Sequence, residues 1–279
     1  MLLELNPSLI LNEIINVLGQ DSYIICSDDP YRTYTATFLA FASGFLISKG
    51  ALGAFRQELV RFANKFNIPH LYLSVVCDAS SNIGKTICRF FRALSAWHIR
   101  PDREGDLHSV VRHLRDDVSE GVDAVFVGDC LSAVEMVALA VQFRLKGLHS
   151  MFLRTFFVNL RGVTGTVGEQ LGVSRGIIRK YGETLMHSLG AKKYDLSYNP
   201  DVQVHKRCGI SEFVEVVPLK QLYDQLKSLV EDYGRVLVAT DHGYNFYLKE
   251  SFIYVEHGTW ERRLDLSSFA PFLLVWRAG

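Results

Sequence analysis

Short apolar runs with the composition of β-strands recur along the chain, and helical patterns separate most of them. The runs are SYIIC (22–26), HLYLSVVC (70–77), DAVFV (123–127), SMFLRTFFV (150–158), RVLVA (235–239) and FIYV (252–255). The helical patterns fall near 31–47, 53–66, 83–97, 106–119, 131–146, 165–190 and 212–232. Strands that alternate with helices are typical of a sheet whose connections cross its faces. The sequence therefore predicts an α/β fold with a doubly wound, mostly parallel sheet and helices on both faces.

The segment that best fits a domain boundary is the polar, turn-rich RPDREGD at 100–106. A chain of 279 residues can form one large α/β domain or two smaller ones. We therefore expect an N-terminal α/β lobe at 1–105, which is either separate or part of the same core, and a main core at 106–279.

Charge and cysteine content exclude some classes of protein. The 30 basic and 30 acidic residues cancel, so a broad nucleic-acid-binding surface is not predicted. The five cysteines contain no CxxC pair, which favours a reducing compartment. The N-terminal segment has no basic region of a signal peptide and is instead predicted to be an amphipathic helix that ends at Gly19. The most apolar stretch, Thr37 to Ser48, is too short to span a bilayer and is predicted to be a core helix. We expect a soluble, cytosolic protein that does not insert into a membrane.

One of the predicted strands ends in an unusual group of residues. In RVLVATDHGYN (235–245), the apolar run leads directly to Asp241, His242 and Gly243. Turn formation explains an aspartate and a glycine but does not require a histidine. In parallel sheets, ligands and catalytic groups gather beyond the carboxyl ends of the strands. The Asp-His pair is therefore a candidate site.

Two further motifs place aspartate and histidine around this strand. NPDVQVH puts Asp201 and His205 four positions apart, and VEHGTW puts His257 after the next strand. A mixed set of carboxylate and imidazole groups suits zinc and similar divalent ions. A single histidine is usually structural, and it is the order of the three motifs that indicates a metal site.

This order resembles the alkaline phosphatase superfamily, and within it the PglZ-type branch, over about residues 195–260. The resemblance implies a metal-dependent hydrolase with two divalent ions, zinc or manganese. One ion would be held by Asp201, His205 and His257. The other would be held by Asp241, His242, an aspartate that ends an earlier strand, and a nucleophilic serine or threonine.

Two upstream pairs compete for the remaining roles. In the first, Asp129 ends DAVFVGD, and Thr164 lies in a glycine-rich turn before a helix, where backbone N–H groups favour an anion. Leu131 and Glu135 also echo the D-x-L-x-x-x-E run of the PglZ-type branch. The second pair is Asp28 with Ser80, Ser81 or Thr86. We prefer the first pair, although Thr164 precedes Asp201 by fewer residues than is usual in the family.

A rival motif overlaps the second pair. ASSNIGKT (79–86) fits a relaxed P-loop in which Ala79 replaces the first glycine, with Lys85 and Thr86 as phosphate and metal ligands. This motif predicts an NTPase but leaves the set from Asp201 to His257 without a role. A binding protein with a decayed site is a third alternative.

The preferred prediction is a phosphodiesterase or phosphatase in which Thr164 attacks phosphorus. Asn159 and Arg161, just before Thr164, are expected to bind the substrate phosphate, and Lys206 and Arg207 to add positive charge at the mouth. The PglZ-type resemblance favours a nucleotide or short oligonucleotide as substrate. The sequence does not determine the oligomeric state.

Overall fold

The computed structural model describes residues 6–20, 29–205, 208–250, 252–258 and 263–277. Its helices are α1 (Pro7–Gln20), α2 (Pro30–Ser48), α3 (Leu52–Lys65), α4 (His70–Val76), α5 (Asn82–Ala96), α6 (Leu107–Asp117), α7 (Ala133–Leu145), α8 (Thr164–Leu171), α9 (Ile177–Leu189), α10 (Asn199–Val204), α11 (Ile210–Val216) and α12 (Leu219–Tyr233). Its strands are β1 (Ala124–Gly128), β2 (His149–Val158), β3 (Lys193–Ser197), β4 (Arg235–Thr240), β5 (Asn245–Lys249), β6 (Phe252–Glu256) and β7 (Phe269–Trp276).

The main sheet has five strands in the order β2-β7-β4-β1-β3, and β5 pairs with β6 in a separate two-stranded ribbon. β1 is parallel to both β3 and β4, whereas β7 is antiparallel to β4 and to β2. The predicted α/β class is therefore confirmed. A doubly wound parallel sheet is not confirmed, because the antiparallel strand β7 lies inside the sheet.

Both faces of the sheet are covered, which explains the unbroken apolar runs. In β1, Ala124 and Phe126 face one core while Val125 and Val127 face the other. The first core includes α7 and α12, and the second includes α6 and α9. Because β1 is parallel to β3 and β4, the carboxyl ends of the three strands meet at one edge of the sheet, and the residues that follow them come together there.

The N-terminal helices pack on this sheet. Residues of α1 and α2 share the first core with α7 and with strands β1, β2 and β4. Asn12 of α1 binds the backbone of Phe152 in β2, donating to its carbonyl (2.9 Å) and accepting from its N–H (2.8 Å). Ser8 donates to the carbonyl of Leu153 (2.6 Å). These contacts satisfy backbone groups of an edge strand that would otherwise remain unpaired.

The predicted strand at 70–77 is wrong, because these residues form α4. Tyr72, Leu73 and Val76 are buried at helical spacing, while Leu71 is 64% exposed. The Tyr72 hydroxyl donates to the carbonyl of Ala36 in α2 (2.9 Å). Packing on neighbouring helices thus overrides the strand preference of an apolar, β-branched segment. The predicted strand at 22–26 lies outside the described residues.

Other predicted boundaries change where glycine or proline interrupts a helix. The helix predicted at 165–190 divides into α8 and α9, with Gly172 (φ 68°) and Gly176 (φ 61°) in the left-handed conformation between them. The helix predicted at 212–232 divides into α11 and α12 at Pro218. Strands β3, β5 and β7 and helix α10 were not predicted. The apolar stretch from Thr37 to Ser48 lies in α2 and is mostly buried. In the described part of the chain, no helix has the length and apolarity to cross a membrane.

Candidate metal centre

Two carboxylates lie at the ends of adjacent parallel strands. Asp129 follows β1, and Asp241 follows β4. The backbone N–H of Asp129 donates to the carbonyl of Ser197 at the end of β3 (2.8 Å). The N–H of Cys130 donates to Asp241 Oδ1 (3.2 Å). These hydrogen bonds hold the carboxyl ends of β1, β3 and β4 together.

The turn after β4 orients His242. The Thr240 hydroxyl donates to the carbonyl of His242 (2.6 Å), and the ring nitrogen Nδ1 of His242 lies 3.0 Å from the carbonyl of Gly243. Since a carbonyl only accepts, Nδ1 carries the proton, and Nε2 is available as an acceptor or metal ligand. A side chain at Gly243 would place its Cβ 2.5 Å from the carbonyl of Leu266, which explains the glycine after Asp-His.

The inner group of the centre consists of Asp129, Asp241 and His242, whose ligand atoms lie within 4.8 Å of one another. All three residues are buried, with Asp129 only 8% exposed. The hydroxyl of Thr164 lies 3.2 Å from Asp129 Oδ1 and 3.2 Å from His242 Nε2. The structure therefore brings the preferred upstream pair, Asp129 and Thr164, to the Asp-His strand end.

The loop before α8 places Thr164 at this position. The side-chain amide of Asn159 donates to the carbonyls of Val163 and Asp241, each at 2.9 Å, and ties the loop to the end of β4. Gly162 has a φ of 61°, and a Cβ there would lie 2.2 Å from the Ser267 hydroxyl. Thr164 is the first residue of α8, so the positive end of the helix dipole faces the centre.

The outer group consists of Asp201, His205 and His257, whose ligand atoms also lie within 4.8 Å of one another. His205 Nε2 is 3.3 Å from Asp201 Oδ2 and 3.3 Å from His257 Nε2. The side chain of His205 is 63% exposed, whereas that of His257 is 13% exposed. The outer group therefore opens to solvent.

The electrostatics of the two groups fit bound cations. Burial, together with the negative charges of Asp241 and Asp201, raises the pKa of Asp129 to about 8. Burial and the neighbouring His242 lower the pKa of His257 and so favour its neutral form. Asp241 Oδ2 is buried without a hydrogen-bond partner. Several carboxylates in one buried site repel one another unless a cation lies between them, so this donor set suits divalent metal ions.

Two predicted substrate-binding residues have other partners in this structure. Arg161 is exposed and pairs with the exposed Glu169 (2.7 Å). Both N–H groups of the Asn159 amide donate to backbone carbonyls, so this residue positions the loop. Lys206 and Arg207 lie outside the described residues. Cys130 and Tyr198 lie at the same sheet edge, although no motif in the sequence marks them as site residues.

The alternative upstream pair receives little support. Asp28 lies outside the described residues, and the hydroxyls of its proposed partners are bonded within their own turn and helix. Ser80 donates to Asp78 Oδ1 (2.7 Å), Ser81 to the carbonyl of Val75 (2.7 Å) and Thr86 to the carbonyl of Asn82 (2.8 Å). The segment 79–86 also follows helix α4 instead of the strand that a P-loop requires. Ser81 caps α5 by accepting from the Gly84 N–H (3.0 Å).

A buried carboxyl group in α7 supports the turn after β4. Glu135 of α7 is fully buried, and its Oε1 accepts hydrogen bonds from the hydroxyls of Tyr34 (2.6 Å) and Tyr244. Burial raises its pKa from 4.5 to about 7, although these hydrogen bonds oppose the shift. Glu135 thus connects α2 to the residue that follows Asp-His-Gly.

Replacing Glu135 by glutamine should remove part of the pH dependence of stability. Between pH 4.5 and 7 the unfolded chain loses this proton while the folded chain keeps it, so stability falls as pH rises through this window. The difference corresponds to roughly 3 kcal/mol, most of it lost by pH 7. Denaturant unfolding at pH 5 and pH 8 should show a smaller loss in Glu135→Gln than in the wild type. Equal losses would contradict the protonated, buried state of Glu135.

Comparison of the chain with protein-family models, curated proteins and solved structures finds no significant match. The resemblance to the alkaline phosphatase superfamily therefore remains a prediction, and the geometry of the two groups is the basis for assigning a function.

Proposed function

We propose that the protein is a two-metal phosphoryl hydrolase of the alkaline phosphatase type, similar to the PglZ-type branch, which cleaves phosphate esters with Thr164 as nucleophile. The observation that carries this proposal is the position of the Thr164 hydroxyl, 3.2 Å from both Asp129 and His242 of the inner group. The outer group lies alongside, because Asp201 also falls within 4.8 Å of a ligand atom of His242. Hydrolysis of a phosphate ester by two metal ions requires two such groups of ligands side by side.

The ligand set favours zinc, with manganese as the second choice. Asp129, Asp241 and His242 would hold one ion, and Asp201, His205 and His257 the other. Two bound ions supply positive charge to the substrate oxygens and lower the pKa of coordinated hydroxyl groups.

The residues of this chain perform two displacements. In the first, Thr164 Oγ1 gives its proton to solvent water and forms a bond to phosphorus, while the bond from phosphorus to the leaving alkoxide breaks and the alkoxide takes up a proton from water. In the second, water attacks phosphorus, the bond to Oγ1 breaks, and Thr164 regains a proton. The N-terminus of α8 stabilises the negative charge beside Thr164, and Asn159 holds the loop through the carbonyls of Val163 and Asp241.

The reaction class is tested by measuring hydrolysis of chromogenic phosphodiester, phosphomonoester and sulfate ester substrates at neutral to alkaline pH. We expect the phosphodiester to be cleaved fastest, and we expect chelation of the metal to abolish activity. Lys85→Ala serves as the control for the P-loop alternative and should retain activity. Metal-loaded protein that hydrolyses none of the three ester classes would exclude this function.

A nucleotide substrate is favoured by an aromatic side chain at the mouth of the centre. Tyr198 follows β3, precedes Asp201 by three positions and is 48% exposed. Burial and the negative charge of Asp129 raise its pKa, while the positive charge of Arg179 opposes the shift. An exposed tyrosine ring can stack on a nucleobase.

Tyr198→Ala should impair hydrolysis of a nucleoside ester selectively. A lost stacking contact is worth about 1–3 kcal/mol, so KM for thymidine 5′-(p-nitrophenyl phosphate) should rise roughly tenfold. KM for methyl p-nitrophenyl phosphate, which has no base, should stay unchanged. Tyr198→Phe retains the ring and should behave as wild type, as should Val202→Ala at the neighbouring exposed position. Equal changes for both substrates would argue against base stacking.

A further inference from the structure

We propose that the thiol of Cys130 is a sulfur ligand of the metal centre and gives the centre a preference for zinc over manganese. This inference rests on the proposed metal-dependent function and specifies which ion the centre prefers. It concerns a residue that lies between Asp129 and the helix α7, at the carboxyl end of β1.

The first observation is the position of the sulfur atom. The ligand atoms of Cys130, Asp201 and His242 lie within 4.8 Å of one another, and Cys130 is fully buried. In a tetrahedral zinc site, ligand atoms are separated by roughly 3.5 Å, given Zn–S and Zn–N distances of about 2.3 and 2.0 Å. Asp201 belongs to the outer group and His242 to the inner group, so the thiol lies where the two groups meet.

The second observation is the backbone conformation of Cys130. Its φ of 56° lies in the left-handed region, which residues other than glycine rarely adopt. Among the described residues, Asn67 and Glu250 share a positive φ, but both are exposed. A buried residue in this conformation costs about 1 kcal/mol or more. Glycine would avoid that cost, so the cysteine side chain occupies a position that disfavours it.

The third observation is a buried carboxyl oxygen without a partner, on a residue that contacts Cys130. Asp241 Oδ1 accepts a hydrogen bond from the N–H of Cys130, whereas the buried Oδ2 has no hydrogen-bond partner. Oδ2 lies 3.5 Å from Nε2 of His242, and His242 is a member of the cysteine-containing group. A buried carboxyl oxygen without a donor leaves a position that a cation can occupy.

Metal binding changes the bonding of the thiol. In the structure, Cys130 Sγ donates to the carbonyl of Gly243 (3.3 Å). When the metal binds, the S–H bond breaks, the proton passes to water, and the sulfur electron pair forms the bond to the ion. Thiolate is a soft ligand that stabilises zinc and cobalt, whereas manganese and magnesium prefer oxygen ligands.

Cobalt(II) is the probe that tests this proposal, because it replaces zinc and reports its ligands by absorption. Visible bands show that cobalt is bound, and a sulfur-to-cobalt charge-transfer band in the near ultraviolet shows a thiolate ligand. We expect both in the wild type, with loss of the near-ultraviolet band alone in Cys130→Ser. Cys208→Ser, which removes the cysteine three positions after His205, should retain both. Zinc affinity should fall at least tenfold in Cys130→Ser, while manganese affinity should remain within twofold.

The outcomes separate this inference from the proposed function. Visible cobalt bands without a near-ultraviolet band in the wild type would overturn the role of Cys130 and leave the metal-dependent function intact. A band that persists in Cys130→Ser would do the same. A wild-type protein that binds no cobalt would overturn both. If Cys130→Ser does not fold, Cys130→Gly, which suits a φ of 56°, replaces it.

Discussion

Thr164→Ala should reduce turnover by roughly 10⁴-fold or more while the protein still binds metal. The variant removes the atom that attacks phosphorus, and the hydroxyl lies 3.2 Å from Asp129 and from His242. The six carboxylate and imidazole ligands are unchanged, so the variant loses at most one metal ligand, the Thr164 hydroxyl, and should still bind metal. Thr164→Ser retains a hydroxyl at the same position and should keep a substantial part of the activity.

A matched control lies in the same helix. Thr166 is buried, and its hydroxyl has no hydrogen-bond partner. Thr166→Ala should therefore leave turnover nearly unchanged, which separates loss of the nucleophile from disturbance of α8. Full activity in Thr164→Ala would exclude this residue as the nucleophile.

The covalent step gives a second, independent measurement. After a substrate pulse and acid quench, mass spectrometry should find the phosphoryl group on Thr164. His257→Ala should increase this signal, since weaker metal binding in the outer group slows the attack of water more than the attack of Thr164. Phosphate on a different residue would contradict the proposed mechanism even if the enzyme is active.

The sequence predicted which residues at strand ends come close together better than it predicted the contacts of side chains in loops. Asp129 and Asp241 follow apolar runs, and parallel neighbouring strands bring such residues together whatever the details of packing. The pattern also indicated His205 and His257, because their spacing from Asp201 and from a strand is local information. The roles given to Asn159 and Arg161 depended on side-chain direction, which a loop sequence does not determine.

The errors in the fold have a related physical origin. Residues 70–77 have an apolar, β-branched composition, but Tyr72 and Val76 pack on other helices, so tertiary contacts decide the structure. β7 contains Pro271, which argues against a strand inside a sheet. The proline is tolerated because β7 pairs with β4 only from Leu273 onward, where backbone N–H groups are available. Neither outcome follows from the local sequence alone.

Cys130 was also missed for a physical reason. Its neighbours in space, Asp201 and His242, are distant in the sequence, and an isolated cysteine in an apolar segment usually packs as a small apolar side chain. The left-handed backbone that distinguishes it is visible only in the structure.

Combining His205→Ala with His242→Ala should abolish metal binding and activity together. Each substitution removes one ligand of a group that has three, and loss of a direct ligand weakens metal affinity by more than roughly 100-fold. We expect about two zinc or manganese ions per wild-type chain and roughly one in either single variant. Metal analysis after gel filtration measures both. His187→Ala, an exposed residue in the last turn of α9, is the matched histidine control and should bind two ions.

The pH dependence of metal binding should distinguish the two groups. Burial and the neighbouring carboxylates raise the pKa of Asp129 to about 8, so a metal that binds the inner group must displace this proton below pH 8. Affinity there should rise by up to tenfold per pH unit as pH increases toward 8, and release of the Cys130 thiol proton, whose pKa is raised by burial, should extend the rise above pH 8. The outer group lacks Asp129, and burial keeps the pKa of His257 low, so its affinity should change less over the same range. Titrations of His205→Ala and His242→Ala isolate the inner and the outer group respectively. A double variant that binds metal as the wild type does would exclude the proposed centre, because the ions would then be held elsewhere.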